Sequence, residues 1–167
     1  YGFNNIRQHN RNNLLWRDPA VDGLKTGHTQ AAGYCLAASA KRDGMRLISV
    51  VLGSSSESNR VSESQSLLNY GFRFFETVQL YKAGQELKQG RVWKGEEEQI
   101  RLGIADELFV TIPRGRYDDL AARVEMRPEL IAPIAEGEEV GQISINLEDE
   151  EIASRGLVAL EAVTEAG

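Results

Sequence analysis

The residues best suited to chemistry lie together near the start of the chain, in Asp22-Gly23-Leu24-Lys25-Thr26-Gly27-His28-Thr29. Lys25 offers a compact ammonium and Thr26 a hydroxyl donor, while Gly27 removes a Cβ so that another backbone can approach closely. Beside a strand edge these groups suit a small anion such as a peptide carboxylate. A Lys-Thr pair is equally at home at a solvated strand end, so the reading depends on the elements around it. Arg60, taken alone, is an ordinary loop arginine. His9 has no histidine or carboxylate partner at ligand spacing and reads as a loop residue. Cys35 is the only cysteine, which excludes an internal disulfide and a cysteine metal site.

The flanking pattern indicates how the motif is held. Asp18-Pro19 marks a turn, and Val21 to Thr29 follows as an extended segment. Gln30-Ala31-Ala32-Gly33 turns the chain into Tyr34 to Ala40, a strand of small and apolar residues. Lys41-Arg42-Asp43-Gly44 closes a hairpin, because Asp and Gly both tolerate positive φ. Met45 to Leu52 is β-branched and nearly all apolar, as expected of a strand covered on both faces. The motif strand therefore heads an antiparallel meander of three strands, with Cys35 inside it as a small core residue. Gly53 to Arg60 reads as a flexible loop, and Ser62-x-x-Gln65 has the capping-box pattern of a helix start. Leu67, Leu68, Phe72, Phe75 and Val78 then recur near the 3.6 period and form a stripe to cover the sheet. Ahead of the motif, Asn4 to Asn13 reads as a surface loop, anchored by the apolar Leu14-Leu15-Trp16.

Charge divides the chain in two. Residues 1–77 hold nine Lys and Arg against six Asp and Glu, whereas residues 78–167 hold ten against nineteen. The first part carries +3 and the remainder −9, which together give the net −6. A basic first part attracts anionic ligands, and the acidic remainder disfavours nucleic acid and anionic lipid. No apolar run reaches the length of a membrane span, and the first residues lack the pattern of a signal peptide.

In the acidic part the period changes. Leu108, Val110 and Ile112 alternate with Phe109 and Thr111, and Ile143, Ile145 and Leu147 alternate with Ser144 and Asn146. Glu86 to Lys88, Val92-Trp93, Ile100 to Leu102, Arg123 to Met126 and Leu157 to Leu160 add further short strands between glycine and charged clusters. Such spacing indicates a small β-sandwich. Glu96-Glu97-Glu98 and Glu148 to Glu151 lack the spacing of a calcium loop and read as solvated turns. No metal and no cofactor is expected.

Four stretches, Asn4 to Arg7, Val21 to Thr29, Met45 to Ile48 and Gly71 to Val78, resemble text of the serine-type D-alanyl-D-alanine carboxypeptidases, the low-molecular-mass penicillin-binding proteins of types five and six. Thr111-Ile112-Pro113-Arg114-Gly115 extends the resemblance into the acidic part. Lys-Thr-Gly is itself one of the signatures shared by penicillin-binding proteins and class A β-lactamases. The resemblance implies an α+β fold: an antiparallel sheet with a covering helix, part of a penicillin-binding transpeptidase domain over residues 1–78, then a small all-β sandwich stalk over 79–167. It implies that Lys25 is the catalytic lysine of the motif and that the His28 backbone N–H belongs to the oxyanion hole. It also implies that Thr26, Gly27 and Arg60 bind substrate, Thr26 and Arg60 through its terminal carboxylate.

The family acts through a Ser-x-x-Lys, and none occurs in these 167 residues. Ser144-Ile145-Asn146 spells the family's Ser-x-Asn but stands in an alternating strand and reads as coincidence. The expectation is the later portion of a longer hydrolase whose nucleophile precedes Tyr1, inactive as given. Its implied partners are peptidoglycan peptides ending in D-Ala-D-Ala, β-lactams, and the inner-membrane surface through a C-terminal amphipathic helix absent here. Its implied place is the periplasm, at the outer face of the bacterial inner membrane. The alternative is a non-catalytic β-sandwich spacer or partner-binding module.

Overall fold

The computed structural model describes Gly2–Phe3 and Ile6–Arg7 as backbone strands and every residue from His9 onward in full. Gly2–Phe3 (β1) and Ile6–Arg7 (β2) pair antiparallel. Of the asparagine-rich loop expected over residues 4–13, Asn4, Asn5 and Gln8 lie outside the described residues. The chain forms two compact units that divide after Glu76.

In the first unit a single helical turn, α1 (Leu14–Arg17), precedes the strands β3 (Val21–Thr29), β4 (Gly33–Arg42) and β5 (Met45–Ser54). These form one antiparallel sheet in the order β3-β4-β5, so the motif strand is an edge. Asp43 and Gly44, at φ 49° and 81°, make the tight hairpin the sequence indicates. Helix α2 (Glu57–Phe74) covers one face of the sheet. Its Val61 and Leu68 pack on Leu36, Ala38 and Ala40 of β4, with Leu14 and Val21 closing the cluster. The small side chains of β4 bring the helix close. A Cβ on Gly71 would meet a terminal methyl of Leu47 of β5, which would have to shift to make room where the helix crosses that strand.

Several expectations are corrected here. The helix begins at Glu57 and not after Ser62. Ser56 is its N-cap, and the Ser56 hydroxyl accepts from the Asn59 N–H at 3.1 Å, which competes successfully with the later capping-box pattern. Arg60 therefore stands in the first helical turn and not in a loop. The buried stripe is Val61, Ser64 and Leu68. Leu67 is half exposed, and Phe75 and Val78 belong to a following strand. Within the described residues β5 is covered on one face only, for Ile48, Val50 and Leu52 are exposed while Met45, Ser49 and Val51 are buried. Leu14 is an apolar anchor, but Trp16 is 73% exposed. Cys35 is only half-buried, because its partner across the ladder is Gly27, which has no side chain to cover it.

A polar network ties these elements together. The Asp18 carboxylate accepts from Arg42 at 2.5 Å, from Gln65 of α2 at 2.8 Å and from the Ala20 N–H at 2.9 Å. Burial pushes the Asp18 carboxyl up, but the hydrogen bonds from Gln65 and Ala20 and the charge of Arg42 outweigh it and hold the group below its usual 3.8. A lowered folded-state value means stability that is complete above the unfolded value and is lost as pH falls through the folded one. Asp18→Asn is therefore expected to cost about 1–3 kcal/mol at neutral pH. The gap to the parent should close on acidification below 3.8, as measured by urea unfolding across pH.

The second unit is nearly all strand: β6 (Phe75–Tyr81), β7 (Lys88–Trp93), β8 (Gln99–Gly103), β9 (Leu108–Pro113), β10 (Leu120–Met126), β11 (Leu130–Ile131), β12 (Glu139–Leu147) and β13 (Glu150–Ala159). Six of them form a sheet in the order β10-β12-β13-β8-β7-β11, and β6 pairs with β9 as a separate ribbon. Leu108, Val110 and Ile112 of β9 bury against Ile143 and Ile145 of β12, which makes one core of the sandwich. Val92, Ile100, Leu102, Leu130, Ile134 and Leu157 form the other. Ser144 and Asn146 lie in β12 opposite Arg123 and Ala121 of β10. Among the described residues no helix is long and apolar enough to cross a membrane.

Candidate active site

The hairpin that carries the motif is built so that its pairing register is fixed by a short turn. Thr29 pairs with Gly33, His28 with Tyr34, Gly27 with Cys35, Thr26 with Leu36 and Lys25 with Ala37. The Thr29 hydroxyl accepts from the Ala32 N–H at 2.9 Å, and Gly33 turns at φ 64° with the main chain of Gly53 and Ser54 where a Cβ would stand. The His28 and Tyr34 rings pack at a tilt of 35° with centroids 4.1 Å apart. Because β3 is the edge of its sheet, alternate main-chain N–H and C=O groups of the motif face away from β4. Lys25 is exposed, and its ammonium donates to the Thr26 carbonyl at 2.5 Å. Behind the motif, Asp22 accepts from Arg46 at 2.9 Å, and that bond, with the Ser39 hydroxyl, holds the Asp22 carboxyl below its usual range.

Two further segments close on this edge. Buried Asn12 donates to the Gly23 carbonyl at 3.2 Å and accepts from the Leu14 N–H at 3.2 Å, which fastens the loop before α1 to β3. From the first turn of α2, Arg60 enters with its side chain only 4% exposed. Its guanidinium donates to the Gly27 carbonyl at 3.4 Å, to the Arg11 carbonyl at 3.2 Å and to the Glu57 carboxylate at 2.7 Å. It also lies over the Tyr34 ring, 5.6 Å from the centroid. Its Nε is buried with no hydrogen-bond partner among the described residues.

An open depression of about 810 Å³ results, walled by Leu24 to His28, by His9 to Arg11, and by Tyr34, Glu57 and Arg60. Lys25, Thr26, Gly27, His28 and Arg60, singled out from the sequence, all line it. The Lys25 ammonium and the Arg11 and Arg60 guanidinium groups, against the single Glu57 carboxylate, with a hydroxyl and an open strand edge, make it a receptor for an extended chain ending in an anion. Among the described residues no group of three or more His, Cys, Asp or Glu side chains could hold a metal.

Sequence reasoning missed Tyr34, Glu57 and the three residues His9, Asn10 and Arg11 as parts of this wall. Tyr34 was within reach, since a turn of three residues between paired Thr29 and Gly33 places residue 34 opposite His28. Glu57 was not, because it lies before the helix start that Ser62 suggested. His9 reads as a loop residue, and that it borders the depression follows only from the course of the loop.

The comparisons decide the family. The model described as penicillin-binding protein 5, C-terminal domain, matches residues 75–165, and that described as D-alanyl-D-alanine carboxypeptidase matches residues 1–56. The chain belongs to the penicillin-binding protein 5 family of low-molecular-mass D-alanyl-D-alanine carboxypeptidases. It is 46% identical over 167 residues to the D-alanyl-D-alanine carboxypeptidase DacA of Escherichia coli K12, covering 99% of this chain and 41% of that protein. It is also 46% identical over 169 residues to DacC of the same strain, covering 100% of this chain and 42% of the relative. Penicillin-binding protein 5 from Haemophilus influenzae superposes with a TM-score of 0.87 at 43% identity, over 99% of this chain and 49% of that one. The chain thus spans about two fifths of the length of these curated family members, and the α+β architecture with a terminal β-sandwich is that of the family.

Proposed function

We propose that the complete protein is a serine D-alanyl-D-alanine carboxypeptidase that trims the terminal D-alanine from peptidoglycan pentapeptides and is acylated by β-lactams. The observation that carries this reading is the convergence of an edge-strand Lys-Thr-Gly and a buried arginine on one open, cationic depression, in a chain whose relatives bear that activity. Residues 1–78 would be the later part of the catalytic domain, and 79–167 a stalk. The nucleophilic serine and its lysine partner would lie outside these 167 residues, since no Ser-x-x-Lys occurs among them.

In the reaction the serine Oγ attacks the carbonyl carbon of the penultimate D-alanine. The peptide C–N bond breaks, free D-alanine leaves with a proton on its amine, and water then hydrolyses the acyl-enzyme. Lys25 would bring a fixed positive charge to the proton-transfer network. Thr26 and Arg60 would take the leaving residue's carboxylate, with Gly27 letting the peptide backbone lie close along β3. The His28 N–H would donate to the oxyanion, a contact of a kind worth about 3 kcal/mol. The reading requires this N–H to be one of the outward-facing donors of the edge strand. The proposed place is the periplasm, at the outer face of the inner membrane, reached through an amphipathic helix that is not among these residues.

Labelling with a fluorescent penicillin tests the proposal. The complete protein should form a stoichiometric adduct on a serine of the missing portion, and the present chain should form none. A complete protein that resists labelling would sink the enzyme reading, and an adduct on any serine of this chain would relocate the nucleophile.

A further inference from the structure

The Arg60 guanidinium is buried, yet its charge is balanced by one movable group. Two of its contacts, at Gly27 and Arg11, are main-chain carbonyls that fix its position. The third is the Glu57 carboxylate, one helical turn earlier, at 2.7 Å and with a side chain 48% exposed. Glu57 is also part of the depression's wall. A ligand carboxylate arriving at Arg60 therefore meets a cation that already holds a carboxylate. It can bind only by displacing Glu57 toward solvent or by adding a second negative charge beside the first.

From this geometry we infer that Glu57 is a specificity-determining residue: an internal carboxylate that occupies Arg60 in the empty site and competes with the carboxylate end of the peptide. The inference rests on the proposed role of Arg60 in binding that end. Its physical basis is twofold. A buried guanidinium without any counter-charge is costly, so Glu57 keeps the site ordered when empty. The same charge then opposes an anionic ligand within a few ångströms while leaving an uncharged one almost untouched, which lowers the preference for acids over amides. Glu57 can yield because its half-exposed side chain loses little on moving into water.

Two measurements test this with one pair of probes, N-acetyl-D-alanyl-D-alanine and its C-terminal amide. The first is binding to this chain, followed by nuclear magnetic resonance. Glu57→Gln should tighten the acid about threefold to tenfold and leave the amide within about twofold, whereas Glu57→Asp, which keeps the charge, should stay near the parent. The second is kcat/KM of the complete enzyme for the corresponding acylated peptides, where Glu57→Gln should raise the acid-to-amide ratio by the same factor. An unchanged ratio, equal changes for acid and amide, or weaker acid binding in Glu57→Gln overturns the inference and makes Glu57 a brace for Arg60. A complete enzyme that binds the acid selectively but never turns it over defeats the proposed activity while leaving the role of Glu57 intact. A parent that binds acid and amide equally defeats both.

Discussion

Lys25→Ala is expected to lower acylation of the complete enzyme by about two to four orders of magnitude, and to do so equally for peptides ending in an acid and in an amide. A positioned group in a proton-transfer network contributes on that scale, and the proton has to move whatever the chemistry of the leaving residue. The loss would not reflect unfolding. Lys25 is exposed on an edge strand and its ammonium meets only the carbonyl of the next residue among the described contacts, so the change should alter stability by no more than about 0.5 kcal/mol. Lys25→Arg should rescue poorly, because a planar fork cannot replace a compact ammonium. Stopped-flow acylation by an acid and amide pair, with unfolding curves beside it, checks this. An effect confined to the acid would turn Lys25 into a carboxylate ligand.

Arg60→Ala should give the opposite signature. Specificity constants for acid peptides should fall about 10- to 100-fold further than those for amides, the equivalent of the roughly 1.5 to 3 kcal/mol in a charge-assisted hydrogen bond. A shared loss is expected on top of this, because the guanidinium also braces the carbonyls of Gly27 and Arg11. Arg60→Lys should restore little, since three donors on one atom cannot reach both carbonyls and still present a fork to a carboxylate. Equal losses on acid and amide would leave Arg60 as that brace alone, between the motif strand and the loop before α1.

What the sequence determined by itself was local. The Asp43-Gly44 hairpin, the edge strand with its Lys-Thr-Gly and the alternating strands β9 and β12 follow from turn chemistry and periodicity, which act over a few residues. The helix start was not legible in the same way: the capping-box pattern pointed to Ser62, six residues after the Ser56 that caps the helix. Packing adds to the Ser56 cap, since a helix from Glu57 sets both Val61 and Leu68 on β4. That start carries Arg60 from a loop to a buried position, and brings Glu57 to it. The exposure of Ile48, Val50 and Leu52 has the same origin: an apolar run shows that a strand can be covered on both faces, whereas coverage depends on what lies above it. The site itself joins residues 9–11, 24–28, 34, 57 and 60. Their residue types are written in the chain, but their meeting depends on a helix crossing a sheet, a long-range arrangement that no spacing between neighbouring residues encodes.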